Sequence, residues 1–188
     1  MNYLYGWNPV AEFILDEFEE LGIPVEGVVI DDRYIDDTAY PKDVNVIASS
    51  NVSFNYGDEV INCLGYKELG QRLILGERLL SLGVLRSFVS KKANVHFSSS
   101  IGVGTILLGE VVIERRCDIG RHCLFWGGSR VCHDSVLGHG VFIASGSIIG
   151  GACTVGDMCT MGFNSSMREK SNMPDRTKVG ANRFWRPN

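Results

Sequence analysis

Charge of either sign is scarce here: Asp, Glu, Lys and Arg make up 21% of the 188 residues, with a net charge of −4 and a pI near 5.6. That balance argues against a dedicated nucleic-acid binder. Proline is rarer still, at five residues, so proline-rich linkers between domains are not expected. No apolar run approaches the ~18 residues that a membrane-spanning helix needs, and the opening Met1-Asn2-Tyr3 carries no signal-peptide pattern. Also missing is any Cys-x-x-Cys pair. The six cysteines (Cys63, Cys117, Cys123, Cys132, Cys153, Cys159) stand apart in a chain with no export signal, which predicts reduced thiols and a cytoplasmic location. What the sequence does have is 45% apolar residues, enough to bury a core, and 22 glycines, enough for many tight turns.

The second half is periodic. Stepping by six from Val89, through Val95, Ile101 and Leu107 to Val155, Met161 and Met167, meets a bulky apolar residue at every step. Four places after each, from Ala93, Ser99 and Thr105 to Cys153, Cys159 and Ser165, stands a small residue. A helix would place apolar residues every 3.6 positions and a lone strand every second one, so neither explains the pattern. Six is a multiple of two, which keeps the inward residues of short strands in phase. Glycines such as Gly102, Gly120, Gly138 and Gly150, together with small polar residues, then supply the turns. Three hexads make a triangular coil of eighteen residues, and residues 89–166 hold thirteen hexads, a little over four coils. The pattern predicts a hexapeptide-repeat parallel β-helix. Cys117, Cys123, Cys153 and Cys159 all fall at the small inward position, where a thiol packs as a small hydrophobe and metal or redox roles are not expected.

The first half reads as a small α/β unit. Asn2 to Gly6 is a strand ending in a turn, and Val10, Phe13, Ile14, Phe18 and Leu21 keep helical spacing behind Pro9. Further strands are expected at 25–30, 44–48 and 59–63, a helix at 67–82, and an extended segment at 84–89 leading into the first coil. This order implies a parallel sheet of Rossmann-like β-α-β type, with a ligand crevice at the carboxyl ends of its strands. Domain boundaries follow: residues 1–84 for the α/β unit and 85–188 for the β-helix with a C-terminal tail. Gly6-Trp7-Asn8-Pro9 occupies the first strand–helix turn, without the G-x-G-x-x-G of a phosphate loop. Asp31-Asp32 follows the second strand, where an acid commonly takes a ribose hydroxyl; an ordinary polar turn explains the position equally. Residues 1–60 carry thirteen acids against two bases, which does not help bind phosphate.

Of four histidines, His96, His122, His133 and His139, two share the third place of their hexads, His133 and His139. They should lie near successive corners and point outward. Asp134 follows His133 directly; a carboxylate beside the ring would fix its tautomer and favour the imidazolium formed on taking a proton. Position alone leaves open whether these are simply solvent-facing corner residues.

Val131-Cys-His-Asp-Ser-Val-Leu-Gly138 inside hexads, after an α/β unit that opens Tyr-Leu-Tyr-Gly and continues Val-Val-Ile-Asp-Asp, resembles the NeuD/PglD-type bacterial sugar acyltransferases over essentially the whole chain. The resemblance implies a left-handed β-helix, a homotrimer with active sites between protomers, and transfer of an acetyl group from acetyl-CoA to an amine or hydroxyl of a sugar, with the sugar nucleotide-linked. It implies His133 as catalytic base with Asp134 beside it, and Phe142, Gly151 and Phe163 on the acetyl-CoA stretch, chiefly through main chain. Asn8, Asp31, Asp32, Gly65 and Trp126 would meet the nucleotide-sugar acceptor, and no metal is expected. Six bases against two acids from Ser166 onward could meet the phosphates of CoA or belong to a solvated tail. Three departures bear on the acceptor. Asn8-Pro9-Val10 replaces the family's Ser-Gly-His loop, Trp126 replaces an asparagine, and Val179-Gly-Ala-Asn-Arg183 replaces the closing Gly-x-Pro-Ala-Lys. Two rival classes remain on sequence grounds: a binding scaffold that keeps the helix without catalysis, and a zinc enzyme of the γ-carbonic-anhydrase kind. The latter needs three histidines around one ion, whereas His96 lies over two coils from His133 and His139.

Overall fold

The computed structural model describes residues 1–35, 40 and 44–186, with all side chains among them except that of Glu68. The chain divides into two compact units, Met1–Arg86 and Ser87–Asn188.

The first unit begins with β1 (Asn2–Tyr5), α1 (Pro9–Glu20), β2 (Gly27–Ile30), β3 (Val46–Ala48) and β4 (Glu59–Asn62). It closes with α2 (Leu69–Ser81) and β5 (Leu85–Arg86). The strands form one sheet in the order β3-β2-β1-β4-β5, and every pairing is parallel. All four residues of β2 are buried, as expected of a central parallel strand covered on both faces. Asn8 caps α1 by accepting the Val10 N–H at 2.8 Å, and Pro9 takes the first turn, where its missing N–H costs nothing. The buried face of α1 is Val10, Ala11, Ile14 and Glu17, while Leu21 stands half exposed at the C-cap. The segment expected to run unbroken through 84–89 instead splits at Ser87. Leu85–Arg86 pairs with β4, and Phe88–Val89 pairs with Ile106–Leu107.

The second unit is a three-sided parallel β-helix built from two-residue strands at six-residue intervals, in sheets of six, five and six strands. Each strand pairs with the one eighteen residues on, as Val112 with Arg130 and Arg130 with Ile148. The bulky residue of each hexad points inward, and Ile113, Ile119, Phe125, Val131 and Ile143 are almost wholly buried. Val89, first of the series, has no earlier coil beneath it and is half exposed.

Three features differ from the sequence reading. First, the coils do not stop near residue 166. Strands at Ser166–Met167, Asn172–Met173, Lys178–Val179 and Phe184–Trp185 continue the same columns, so the basic residues sit on ordered coils. Second, the glycine after the bulky residue is not a turn former. A Cβ on Gly120 would lie 2.4 Å from the Gly138 carbonyl oxygen, so glycine here allows successive coils to approach. The left-handed corner falls two places later; glycine holds it at Gly104, Gly128, Gly140 and Gly146, and other residues hold it at Arg116 (φ 54°), His122 (φ 60°), Asp134 (φ 62°) and Asn164 (φ 51°).

Third, the small inward residues do more than fill space. Ser135 Oγ donates to the Gly150 carbonyl at 2.9 Å and accepts the Cys153 N–H at 3.1 Å. Ser99 and Thr105 bridge their neighbouring coils in the same way. Cys123 and Cys153 replace the hydroxyl with a thiol, donating to the Gly138 and Arg168 carbonyls at 3.2 and 3.1 Å. Burial raises the pKa of Cys117, Cys123's counterpart Cys153, Cys159 and Cys132, and pushes Cys63 to about 12, so these side chains stay protonated and unreactive at neutral pH.

Candidate active site

The corner after the strand Arg130–Val131 carries His133 and Asp134. His133 Nδ1 lies 2.7 Å from Asp134 Oδ2, with the side chains 48% and 36% exposed. The coil before supplies two further groups. Arg116 forks onto the Asp134 carboxylate, Nε to Oδ1 at 2.5 Å and a terminal nitrogen to Oδ2 at 2.9 Å. Glu114 accepts the His133 backbone N–H at 3.0 Å with one oxygen and pairs with Arg130 at 3.0 Å through the other.

Hydrogen bonds from Arg116, and next from His133, hold the Asp134 pKa down at about 2. Its folded value lies below the unfolded one of 3.8, so these bonds stabilise the fold above the ordinary carboxylate range and are lost as pH falls toward 2. At neutral pH Asp134 is therefore ionised and can only accept. The close contact then requires the proton on Nδ1, which leaves the lone pair of the neutral ring on Nε2.

The next coil places Gly151 against that ring. A Cβ at Gly151 would lie 2.9 Å from both Cε1 and Nε2 of His133. The Ser135 bridge fixes Gly150 and Cys153 on either side. Gly150 and Ala152 donate their N–H groups to inter-coil carbonyls, at Met167 and His133 respectively. On the other side of His133 an open groove is lined by Asn94, His96, Val112, Glu114 and Arg115. His96 thus faces the same groove as His133, with one coil between them. Its Nδ1 is 2.9 Å from Ser98 Oγ, and its ring lies over Phe97 at 4.4 Å.

His139 has a different setting. Its Nδ1 accepts the Arg121 N–H at 3.0 Å, its own N–H donates to Asp157 Oδ1 at 2.6 Å, and Asp157 N–H donates to Asp175 Oδ1 at 2.9 Å. This side-chain ladder ties successive coils at their corner. Phe142 is buried, with its N–H bonded to the Cys159 carbonyl, whereas Phe163 is 56% exposed. Phe163 and the half-buried Trp126 follow strands of a different sheet from Arg130–Val131, so neither shares the His133 corner.

Within the first unit, Asn8, Gly65 and the Asp31-Asp32 pair all follow the carboxyl ends of strands in the one sheet. Asn8 is committed twice, capping α1 and donating to the Cys63 carbonyl at 2.7 Å, which joins the ends of β1 and β4. Asp31 is gripped by Arg33 at 2.8 and 2.9 Å, which lowers its pKa to about 2. Asp32 Oδ1 accepts from Ser49 Oγ and the Ser50 N–H, both at 3.1 Å, and these bonds lower its pKa. A carboxylate offers about four acceptor positions, so these bonds use only part of the capacity of either aspartate. Ser49 and Ser50 also border a cavity of about 470 Å³, walled by Tyr5, Phe54, Arg78 and Leu79. The buried Arg72 guanidinium donates to the carbonyls of Asn62 and Leu64 just before Gly65. Asn62 donates back to the Arg72 carbonyl at 2.8 Å.

Among the described residues, no three His, Cys, Asp or Glu side chains converge as a metal site, and no helix is long and apolar enough to cross a membrane. The sequence reading missed Arg116 and Glu114. The usable signal was the coil length, because Arg116 stands eighteen residues before Asp134 and therefore stacks on it.

No protein-family model and no curated protein sequence matches the chain. Solved structures do. The acetyltransferase domain of PglB from Neisseria gonorrhoeae superposes with a TM-score of 0.87 at 18% identity, over 100% of this chain and 91% of that one. The same domain has been solved with acetyl coenzyme A, at a TM-score of 0.84 and 18% identity over 96% of this chain and 87% of that one. A mutant of perosamine N-acetyltransferase from Caulobacter crescentus, in complex with CoA and GDP-perosamine, gives 0.84 at 19% identity over 100% and 89%. WeeI from Acinetobacter baumannii gives 0.67 at 15% identity over 97% of each chain. The chain therefore shares the fold of these solved proteins.

Proposed function

We propose that the protein transfers an acetyl group from acetyl-CoA to an amine or hydroxyl of a sugar, with His133 as general base. The observation that carries this reading is the His133–Asp134 pair, whose geometry leaves Nε2 as the basic atom beside Gly151. The attacking nitrogen or oxygen gives its proton to Nε2 as it bonds to the thioester carbonyl carbon. The carbonyl oxygen becomes the oxyanion of a tetrahedral intermediate, and the Gly151 N–H is the donor we assign to it. Collapse breaks the carbon–sulfur bond, and the imidazolium returns its proton to the departing CoA sulfur. Asp134 stabilises the charged ring between those steps. A positioned base of this kind contributes ~10²–10⁴-fold.

The remaining assignments belong to the same reading. The β-helix winds left-handed, and three copies associate so that a second protomer closes the groove beside His133. A half-exposed ring and an open groove support this, since one chain alone does not exclude water from the thioester. Phe142 and Phe163 border the CoA arm, and Trp126 limits the acceptor. Residues 1–84 form a Rossmann-like acceptor domain in which Asp31, Asp32, Asn8 and Gly65 meet a nucleotide. Residues 85–188 are the acyltransferase domain, and the enzyme works in the cytoplasm. Among solved neighbours, the PglB domain carries acetyl coenzyme A and the perosamine enzyme carries CoA with GDP-perosamine, the two ligand classes required here.

The test is release of free CoA from acetyl-CoA in the presence of GDP-, UDP- and dTDP-linked amino sugars. Acetylated product with at least one acceptor is expected; release with none of them, nor with free amino sugars, overturns the assignment. Gly151→Ala gives a sharper result. Its backbone lies outside the left-handed region, so alanine fits the chain, yet the added carbon meets the His133 ring. Turnover should fall roughly 10- to 100-fold with the thermal midpoint almost unmoved. Full turnover in that variant would show that the ring position is not critical.

A further inference from the structure

We propose that Arg116 is a positioning residue for His133: by clamping Asp134 from the neighbouring coil, it fixes the tautomer that leaves Nε2 free. The inference rests on the acetyl-transfer reading for its purpose, but not for its geometry.

Asp134 is a poor candidate to hold a ring unaided. It sits at a left-handed corner with φ 62° and is partly exposed. A short carboxylate in that setting can rotate about its side-chain torsions and offer either oxygen, or neither, to a neighbouring ring. Arg116 removes that freedom. Its planar fork binds both oxygens at once, at 2.5 and 2.9 Å, and the bidentate geometry admits a single carboxylate plane. Oδ2 then accepts from Arg116 and from His133 Nδ1 together. Arg116 is itself seated: its backbone N–H donates at 3.0 Å to Ser98 Oγ, which in turn meets His96 Nδ1 at 2.9 Å. Hydrogen bonds therefore run unbroken along one corner from His96 through Ser98, Arg116 and Asp134 to His133.

The clamp is about orientation more than stability. Both partners are substantially exposed, and exposed ion pairs contribute little to folding. The effect on His133 is also specific to this pair among the charges around the ring. Glu114 binds the His133 backbone rather than its ring, Arg130 is engaged by Glu114, and the next coil presents uncharged Gly151. Arg115 and His96 line the groove beside it. Free histidine in water favours the other tautomer, with the proton on Nε2, which cannot accept a proton from an acceptor group. Holding Nδ1–H against that preference is the task assigned to Arg116.

The experiment compares the unmodified protein with Arg116→Ala and Arg116→Lys by imidazole ¹⁵N shifts at a pH where His133 is neutral, with His133→Ala assigning the signal. The unmodified protein should show Nδ1–H as the dominant form. Arg116→Ala should move His133 toward the Nε2–H form, and Arg116→Lys, a point donor without a fork, should fall between. In the CoA-release assay with GDP-perosamine and the other nucleotide amino sugars, kcat should drop roughly ten-fold with KM for acetyl-CoA unchanged. A lysine that restores part of kcat alone marks a positioning role. An Arg116→Ala protein that folds and keeps the same Nδ1–H signal overturns the proposal. If alanine prevents folding, an Arg116→Lys protein with an unchanged tautomer and unchanged kcat overturns it equally. A tautomer change in a protein that acetylates nothing sustains the clamp and refutes acetyl transfer, so the two failures are distinct.

Discussion

Replacing His133 with alanine should abolish most acetyl transfer, by roughly 10²–10⁴-fold, while leaving the fold intact. The size follows from what is removed. The attacking group must lose a proton as it bonds to the thioester carbon, and Nε2 of His133 is the basic atom that the Asp134 contact leaves available. The stability change should be small, because the ring is half exposed and lies at a corner rather than in the inward column. The coil on either side is secured by backbone bonds and by the Ser135 bridge, neither of which uses the imidazole. Steady-state CoA release gives the first number and thermal unfolding the second. His139→Ala is the matched control: it removes an acceptor for the Arg121 N–H and should cost stability rather than turnover. If His133→Ala keeps its rate, the mechanism fails; if both variants lose rate alike, the loss reflects the coil and not the base.

Arg72→Ala should be the most damaging single change to the first unit, destabilising it by about 3–5 kcal/mol. Arg72 is fully buried and is the largest wholly enclosed side chain in the chain's described residues. Its guanidinium supplies hydrogen bonds to the carbonyls of Asn62 and Leu64, where β4 turns toward Gly65. Alanine removes the donor from the buried Asn62 carbonyl, at about 1–3 kcal/mol, and from the part-buried Leu64 carbonyl, and opens a cavity beside Cys63. Because the change falls at the carboxyl edge of the sheet, it should also loosen the Asn8–Cys63 bond that joins the ends of β1 and β4. Denaturant unfolding of the full chain measures the effect, with Arg72→Lys expected to recover part of it. A loss below about 1 kcal/mol would contradict this account of the edge.

The β-helix was legible because a two-residue strand repeated every six residues leaves one bulky inward side chain per turn of the pattern. Nothing else in the sequence has that period, and Met173, Val179 and Trp185 carry it beyond Met167. The small companion also persists there, at Ser171 and Thr177, and only Arg183, exposed beside the last strand, departs from it. The glycines were recognised and misread. Gly120 and Gly138 look like turn residues in a string of letters, and only the spacing between coils shows that they permit backbone contact. The corners two places later are shared between other glycines, such as Gly128 and Gly146, and residues such as Arg116 and Asp134, which take the same left-handed backbone.

That geometry also explains which part of the candidate site was visible. His133 and Asp134 are neighbours in sequence, so their pairing could be read directly. Arg116, Glu114 and Gly151 reach the His133–Asp134 pair from sequence distances near eighteen, and only stacking makes them adjacent. In the first unit the positions of Asn8, Asp31, Asp32 and Gly65 at strand ends were legible from strand–helix order. Their existing partners were not: the Arg33 fork on Asp31 and the Cys63 carbonyl on Asn8 are set by local chain geometry that periodicity does not report.

The central claim is that this chain uses acetyl-CoA, and calorimetric titration of acetyl-CoA into the purified protein tests it without knowledge of the acceptor. Saturable binding is predicted, retained when His133 is alanine because the base acts on the acceptor's proton rather than on the nucleotide. Absence of binding by the folded protein would contradict the acetyl-transfer assignment and leave the β-helix as a scaffold.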